Sequence, residues 1–304
     1  MPFHLDNLSR RRFFQGTSAL LLTPAARASS PDASETWALL ADTHIAADAK
    51  HEARGANMAG NLAKVVEQVV AEKDTLSGVV IDGDCAYNNG QPGDYETLFG
   101  ILEPLREAGL PIHLTLGNHD DRDVLSKTLT QVSDSPVDGK HCTIIETPAV
   151  NLVLLDSLRF VNKVEGEIGA EQISWIAAHL DRNPGKPSLL VGHHYPQPVT
   201  KSSAPDEKPP RITGLIDTED LLQTLAPRKA AKAYVYGHSH RWETSTGKDG
   251  IHHVNLPPTA YVFDDSRPNG WVRATFSTTG GHFELVALNP DHPQHGEKRS
   301  LEWR

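Results

Sequence analysis

Two hydrophobic rhythms alternate along the chain. Short apolar runs at 37–41, 78–81, 112–116, 151–155, 188–191 and 233–236 read as buried strands. Between them, apolar positions recur at helical spacing. Met58, Leu62, Val65, Val66, Val69 and Val70 predict an amphipathic helix over 55–72. Further helices are expected at 95–108, disturbed by Pro104, at 170–180, where Trp175 reads as core, and at 217–225, with Asp217 or Thr218 near the N-cap. Beyond residue 250 the pattern turns to β, with candidates at 251–255, 270–276 and 283–288. Strand–helix alternation implies an α/β fold with substantial parallel pairing. No repeat or low-complexity linker divides residues 29–304, which read as a single domain with a β-rich final part, about 250–304. One irregular stretch, 195–213, holds Pro196, Pro198, Pro205, Pro209 and Pro210, and loops of that length inside a compact domain are usually functional.

The first 28 residues stand apart. Ser9-Arg10-Arg11-Arg12-Phe13-Phe14-Gln15 resembles the twin-arginine export signature, an apolar stretch Ala19–Leu22 follows, and Ala26-Arg27-Ala28 forms a small-x-small cleavage site. The expectation is a protein exported by the twin-arginine route to the periplasm or the extracellular space. Removing the leader takes four Arg and one Asp, so the net charge moves from −10 to −13. A body this acidic argues against non-specific binding to nucleic acid or anionic lipid, and no apolar run reaches the ~20 residues of a spanning helix. It leaves room for an anionic substrate where bound cations reverse the local field. Cys85 and Cys142 are the only cysteines, too few for a disulfide framework, and Cys85 reads as a small buried filler.

The 16 histidines change the picture, because many fall at strand ends. Leu40-Ala41 leads into Asp42-Thr43-His44, and Val80-Ile81 into Asp82-Gly83-Asp84. Thr115-Leu116 leads into Gly117-Asn118-His119-Asp120. Leu190-Val191 leads into Gly192-His193-His194, and Val235-Tyr236 into Gly237-His238-Ser239-His240. Ligands of α/β sheets bind beyond the carboxyl ends of strands. Imidazole with carboxylate suits Zn, Fe or Mn, and the lack of thiolates argues against a structural zinc site. Glycines preceding these ligands permit tight turns and close backbone approach.

Taken in order, Asp-x-His, Gly-Asp, Gly-Asn-His-Asp, a His followed by Pro two residues on, and Gly-His-x-His resemble the calcineurin-like metallophosphoesterases over residues 37–240. The resemblance implies a sandwich of two mixed β-sheets flanked by helices, around a dinuclear centre of two transition-metal ions (Fe, Mn or Zn). It implies hydrolysis of a small phosphate ester, diester or monoester, by water that the metals activate. Carried over residue by residue, Asp42, His44 and His240 would hold one ion and Asn118, His194 and His238 the other, with Asp84 bridging. His194 is preferred to His193 because Val191 and Pro196 both select it. His119 would act as acid or substrate contact beside the metals, with Asp120 orienting it or capping the next helix. Gly117-Asn118-His119-Asp120-Asp121-Arg122 and Asp42-Thr43-His44 look most like the class III cyclic-nucleotide and glycerophosphodiester phosphodiesterases. One departure is Gly83-Asp84-Cys85-Ala86-Tyr87, similar to the Gly-Asp-x-x-Tyr of purple acid phosphatases, whose Tyr ligates iron. The expectation is that His44 takes that coordination role and leaves Tyr87 as a loop or wall aromatic, with a purple-acid-phosphatase-like monoesterase that uses Tyr87 as ligand kept as an alternative. A metal- or phosphate-binding protein without catalysis is the alternative from a different class. Elsewhere, His113 reads as a core residue, His51 and Arg54 as a solvated loop that follows the first motif and could reach substrate, and His252 and His253 as a strand and rim.

Overall fold

The computed structural model describes residues 33–129, 135–198 and 211–304, and the backbone alone of 3–5. The expected leader 1–28 therefore lies outside the described residues, except for that short backbone segment, as does the middle of the proline-rich stretch.

In chain order the strands are β1 (Phe3–Leu5), β2 (Ser34–Ala41), β3 (Glu52–Ala53), β4 (Ala56–Asn57), β5 (Gly78–Asp82), β6 (Ile112–Thr115), β7 (Thr143–Glu146) and β8 (Asn151–Leu154). They continue as β9 (Ser188–Val191), β10 (Ala231–Tyr236), β11 (Glu243–Thr246), β12 (His252–Asn255), β13 (Gly270–Ser277), β14 (Gly280–Ala287) and β15 (Lys298–Glu302). The helices are α1 (Met58–Ala71), α2 (Pro92–Glu107), α3 (Arg122–Thr128), α4 (Ala170–Arg182) and α5 (Thr218–Leu225).

Two mixed sheets result. The first runs β1-β6-β5-β2-β13-β14-β15, with β6, β5 and β2 mutually parallel and the C-terminal strands antiparallel. The second runs β11-β12-β10-β9-β8-β7, parallel through its four central strands. A small hairpin, β3-β4, stands outside both.

The period-two alternation of each strand divides its side chains between two layers. On β2, Trp37, Leu39 and Ala41 join Leu152, Leu154, Leu189, Val191 and Val235 in the core between the sheets. Ala38 and Leu40 face the other way, into a layer closed by Leu62, Val65 and Val69 of α1 and Leu98 and Leu102 of α2. Val153, Leu190 and Tyr234 face outward from the second sheet, under Ile176 and Leu180 of α4 and Leu221 and Leu225 of α5. Strands covered on both faces read as unbroken apolar runs, which is why these six were visible in the sequence.

Three details depart from expectation. Pro104 does not interrupt α2, which continues to Glu107 with the proline inside it. That helix also begins earlier, at Pro92, where a proline fits the first turn and the Asp94 carboxylate accepts from Gln91 N. Asp217 precedes α5 but makes no side-chain cap there; its carboxylate accepts from Ile168 N and Gly169 N at the entrance to α4 instead.

Candidate metal centre

The five polar motifs meet at the carboxyl ends of β2, β5 and β6 in one sheet and β9 and β10 in the other. Backbone hydrogen bonds splice these ends together: Asp42 N donates to Gly83 O, His44 N to Asp84 O, and Gly237 N to His193 O. Approach is so close that a Cβ on Gly117 would stand 2.2 Å from Asp84 Oδ1, and one on Gly237 2.5 Å from Asp42 Oδ2.

Glycine is only part of the local solution. Among the described residues, seven non-glycine residues have positive φ, and five of them are Asp42, His44, Asp84, His238 and His240. Left-handed backbone at a non-glycine residue costs on the order of 1–3 kcal/mol and persists only where the surroundings enforce it. Here it turns each side chain inward immediately after its strand ends.

Histidine tautomers follow from the outer hydrogen bonds. A carbonyl can only accept, so the ring nitrogen facing it carries the proton. His193 Nδ1 donates to Asp82 O at 2.9 Å, His238 Nε2 to Thr213 O at 2.8 Å, and His240 Nδ1 to Tyr261 O at 2.6 Å. His119 Nδ1 donates to Asn88 O at 2.6 Å and His44 Nδ1, more weakly, to Tyr87 O at 3.4 Å. In the neutral rings the opposite nitrogens carry lone pairs. His44 Nε2 and His240 Nε2 face each other at 3.2 Å, and His240 Nε2 is 3.3 Å from Asp42 Oδ1. His193 Nε2 lies 3.3 Å from Asp84 Oδ2. Buried lone pairs confronting one another and two carboxylates call for a cation between them.

The polar atoms left over agree. Asn118 Oδ1, His193 Nε2 and His194 Nε2 are buried without a hydrogen-bond partner, a costly arrangement unless a ligand satisfies them. Ligand atoms of Asp42, His44 and His240 lie within 4.8 Å of one another, as do those of His44, Asp84 and His119, and of Asp84, His193 and His238. These residues fit a pair of metal ions, with Asp84 common to two of the sets.

The charge states suit ligation. Burial lowers His44 and His238 to about 4, more than the Asp84 carboxylate can offset, so both imidazoles are neutral at pH 7. Burial would raise Asp42 and Asp84, but His240 beside the first and His193 beside the second hold both carboxyls below the usual range. For His193 burial favours the neutral ring, yet the Asp84 carboxylate outweighs it and raises the imidazole to about 10. Positive charge is favoured at that point of the site, supplied by the imidazolium itself or by a cation that displaces its Nε2 proton.

Some placements differ from the sequence reading. His193, expected to pack outside the ligands, comes within ligand reach of Asp84 and His238. His194 lies beside it, its ring 4.6 Å from that of His238 and its Nδ1 2.8 Å from Ser157 Oγ. Asp120 neither orients His119 nor caps α3. It is fully buried and accepts from Cys85 N, Ala86 N, Gly117 N and Tyr95 Oη, riveting the Asp84 loop to the Asn118 loop. The helix cap is Asp121, whose carboxylate accepts from Asp123 N and Val124 N. Burial, with Asp84 adding to it, raises Asp120 to about 6 against the pull of those backbone donors, so at neutral pH it is a carboxylate acceptor. Tyr87 turns its ring onto His51, centroids 4.4 Å apart, and the wall role falls to Tyr261, stacked on His44 at 5.0 Å. Cys85 and Cys142 are both free and buried.

Over the centre opens a cleft of about 710 Å³. His44, Asp84, Asn118, His119, His238 and His240 form its floor. Asn162, Lys163, Tyr195, Arg211, Thr213, Tyr261 and Phe263 are among the residues of its walls. Of these wall residues, Tyr195, Arg211 and Thr213 fall in the proline-rich stretch 195–213 that the sequence marked as functional, though not individually. The others come from loops without a motif, where only the paired aromatics Tyr261 and Phe263 offered a signal.

A fold of this topology with this strand-end constellation defines a class of metal-dependent phosphoesterases. The calcineurin-like phosphoesterase family model matches residues 36–242, and the chain belongs to that family. It is 25% identical over 259 residues to a probable cyclic nucleotide phosphodiesterase of Psychrobacter arcticus, covering 81% of this chain and 88% of that one. It is 26% identical to a cAMP/cGMP dual specificity phosphodiesterase of Mycobacterium tuberculosis, covering 84% and 76%. Among solved structures, a dimetal phosphatase from Danio rerio superposes with a TM-score of 0.66 at 17% identity, covering 89% of this chain and 99% of the other. A purple acid phosphatase from yellow lupin gives 0.61 at 17% identity, covering 89% and 54%. The protein is a phosphoesterase of the two-sheet metallophosphoesterase fold.

Proposed function

We propose that the chain is an exported phosphodiesterase acting on small diesters, 3′,5′-cyclic nucleotides foremost. In this reading Asp42, His44 and His240 hold one metal ion and Asn118, His194 and His238 a second, with Asp84 shared and His193 in reach of the shared carboxylate. Two such ions, Fe, Mn or Zn, supply Lewis acidity at the phosphate and a water acidified to near neutrality. The chain's own groups do the rest. Carbonyl partners lock His44, His238 and His240 in the ligating tautomer and Ser157 Oγ holds His194 Nδ1, and Asp120 fixes the spacing of the two loops that carry Asp84 and Asn118. His119, anchored through Nδ1 to Asn88, presents Nε2 to the cleft, where the ring takes up a second proton and, as the imidazolium, passes it to the departing oxygen.

The observation that carries the reading is the set of inward ring nitrogens of His44, His238 and His240, whose opposite nitrogens are tied to carbonyls, beside the buried, unpartnered Nε2 of His194. The relatives' activity on cyclic nucleotides supports the diester preference. The ring of Tyr87, expected at that point to ligate iron in a purple acid phosphatase, instead packs on His51 and does not line the cleft.

The test is hydrolysis of 3′,5′-cyclic AMP and of a phosphomonoester by manganese-loaded protein. Diester turnover above monoester turnover is expected. No turnover of cyclic nucleotides with two ions bound refutes the diesterase reading.

Export rests on the leader motif. Replacing Arg10 and Arg11 by Lys should hold the protein in the cytoplasm, and a protein found outside regardless would remove the twin-arginine route. An enzyme outside the cytoplasm meets nucleotides as a phosphate source rather than as an internal messenger. Among the described residues no helix is long and apolar enough to cross a membrane.

A further inference from the structure

Phe263 is 55% exposed, one of two large apolar side chains so exposed among the described residues. It is not loose at the surface. Its ring stacks on His240, centroids 4.2 Å apart and planes 22° apart, and meets Tyr261 edge-on at 6.0 Å. Tyr261 in turn stacks on His44. An aromatic shelf therefore rises directly from two histidines of the centre and forms one wall of the cleft.

Over this shelf lies Arg54, its guanidinium carbon 4.8 Å from the Phe263 centroid and 5.7 Å from that of Tyr261. Among the described residues Arg54 makes no ion pair; the two rings are its partners. It is displayed on the two-residue turn of the β3-β4 hairpin, with φ of 49° at Arg54 and 75° at Gly55. Such a turn needs left-handed backbone at both positions and favours small residues there. A long cation in this conformation is a local cost that packing does not explain, since Arg54 is exposed. The other strained non-glycine residues sit at the centre or, like Asn162, in the wall of the cleft.

We propose that Phe263, Tyr261 and Arg54 form a nucleobase subsite: a planar base takes the place on Phe263 that the Arg54 guanidinium covers here, the guanidinium shifting outward to stack on the base, while the phosphate lies on the metal floor. This deepens the phosphodiesterase reading and rests on it for the position of the phosphate. The chemistry fits a base better than an aliphatic alcohol. Aromatic faces and guanidinium planes both stack on bases, whatever the base, whereas an aliphatic group gains nothing from the cation. The shelf adjoins the side of the centre held by Asp42, His44 and His240, so it fixes which side of the phosphate carries the nucleoside.

The test compares AMP with ribose 5-phosphate, which share the phosphate and sugar and differ by the base. Their dissociation constants are measured by calorimetry on manganese-loaded full-length protein, its Phe263→Ala and Arg54→Ala variants, and Phe263→Trp, which keeps a stacking face. Stacking of one base predicts that the parent binds AMP about 5- to 100-fold more tightly than ribose 5-phosphate. That preference should collapse in Phe263→Ala, shrink in Arg54→Ala and persist in Phe263→Trp. A parent with no preference, or a preference that survives both alanine variants, overturns the subsite. The outcome is separable from the functional reading: absence of cyclic-nucleotide hydrolysis would sink that reading, while the AMP-to-ribose 5-phosphate ratio is read without turnover.

Discussion

At the scale of single residues, two neighbours in one motif do different work. Asp120 is an acceptor for three backbone N–H groups and a tyrosine hydroxyl, all buried. Asp120→Ala strands those donors, and the expected loss is roughly 3–5 kcal/mol of stability, read as a lower urea midpoint. A midpoint unchanged from the parent would show that the rivet is dispensable. His119 is half-buried at the cleft floor, with one nitrogen tied to Asn88. His119→Ala should keep its metals and fold but lose about 10²–10⁴ in rate, most on esters with basic leaving groups. Equal losses on good and poor leaving groups would assign His119 to phosphate binding instead. The motif made both residues visible in the sequence. It could not separate their roles, because the direction in which Asp120 points depends on Cys85 and Ala86, brought near only by the parallel pairing of β5 with β6. His193 was underestimated for a similar reason: adjacent histidines after a strand face opposite ways on paper, yet here both reach the same end of the centre.

At the scale of elements, legibility follows burial. The strands covered on both faces announced themselves as apolar runs, whereas β7, β11 and β15 are partly or largely exposed edges and carry no such run. The loops between elements were the least legible, and they hold the cleft walls. Asp217 shows how such a loop is set. Its carboxylate accepts from Ile168 N and Gly169 N, at the end of the segment that brings Asn162 and Lys163 to the cleft. Asp217→Ala should cost about 2 kcal/mol, the weight of charge-assisted hydrogen bonds to backbone. It should also weaken substrate binding more than it slows the catalytic step, seen as a KM increase exceeding the fall in kcat. A fall in kcat alone would place the effect at the metals rather than in the wall.

At the scale of the whole molecule, the site exists because two sheets end at the same place. The first sheet contributes Asp42, His44, Asp84 and Asn118; the second contributes His193, His194, His238 and His240. On the proposed assignment neither half contains a complete set of ligands, so the sandwich core and a loaded centre would stabilise each other, since ions bound only in the folded state add to its stability. The acidic surface, net −10 over the chain, would repel a phosphate diester were the floor not cationic when loaded. The whole account turns on two ions held in common by Asp84. The most direct measurement is elemental analysis of protein purified without chelator, beside Asp84→Ala prepared identically. Two transition-metal ions per chain are expected in the parent, with both sites weakened together in the variant. A parent that holds no metal, and takes none from added Mn, Zn or Fe, would contradict the account. So would an Asp84→Ala protein that retains the full pair.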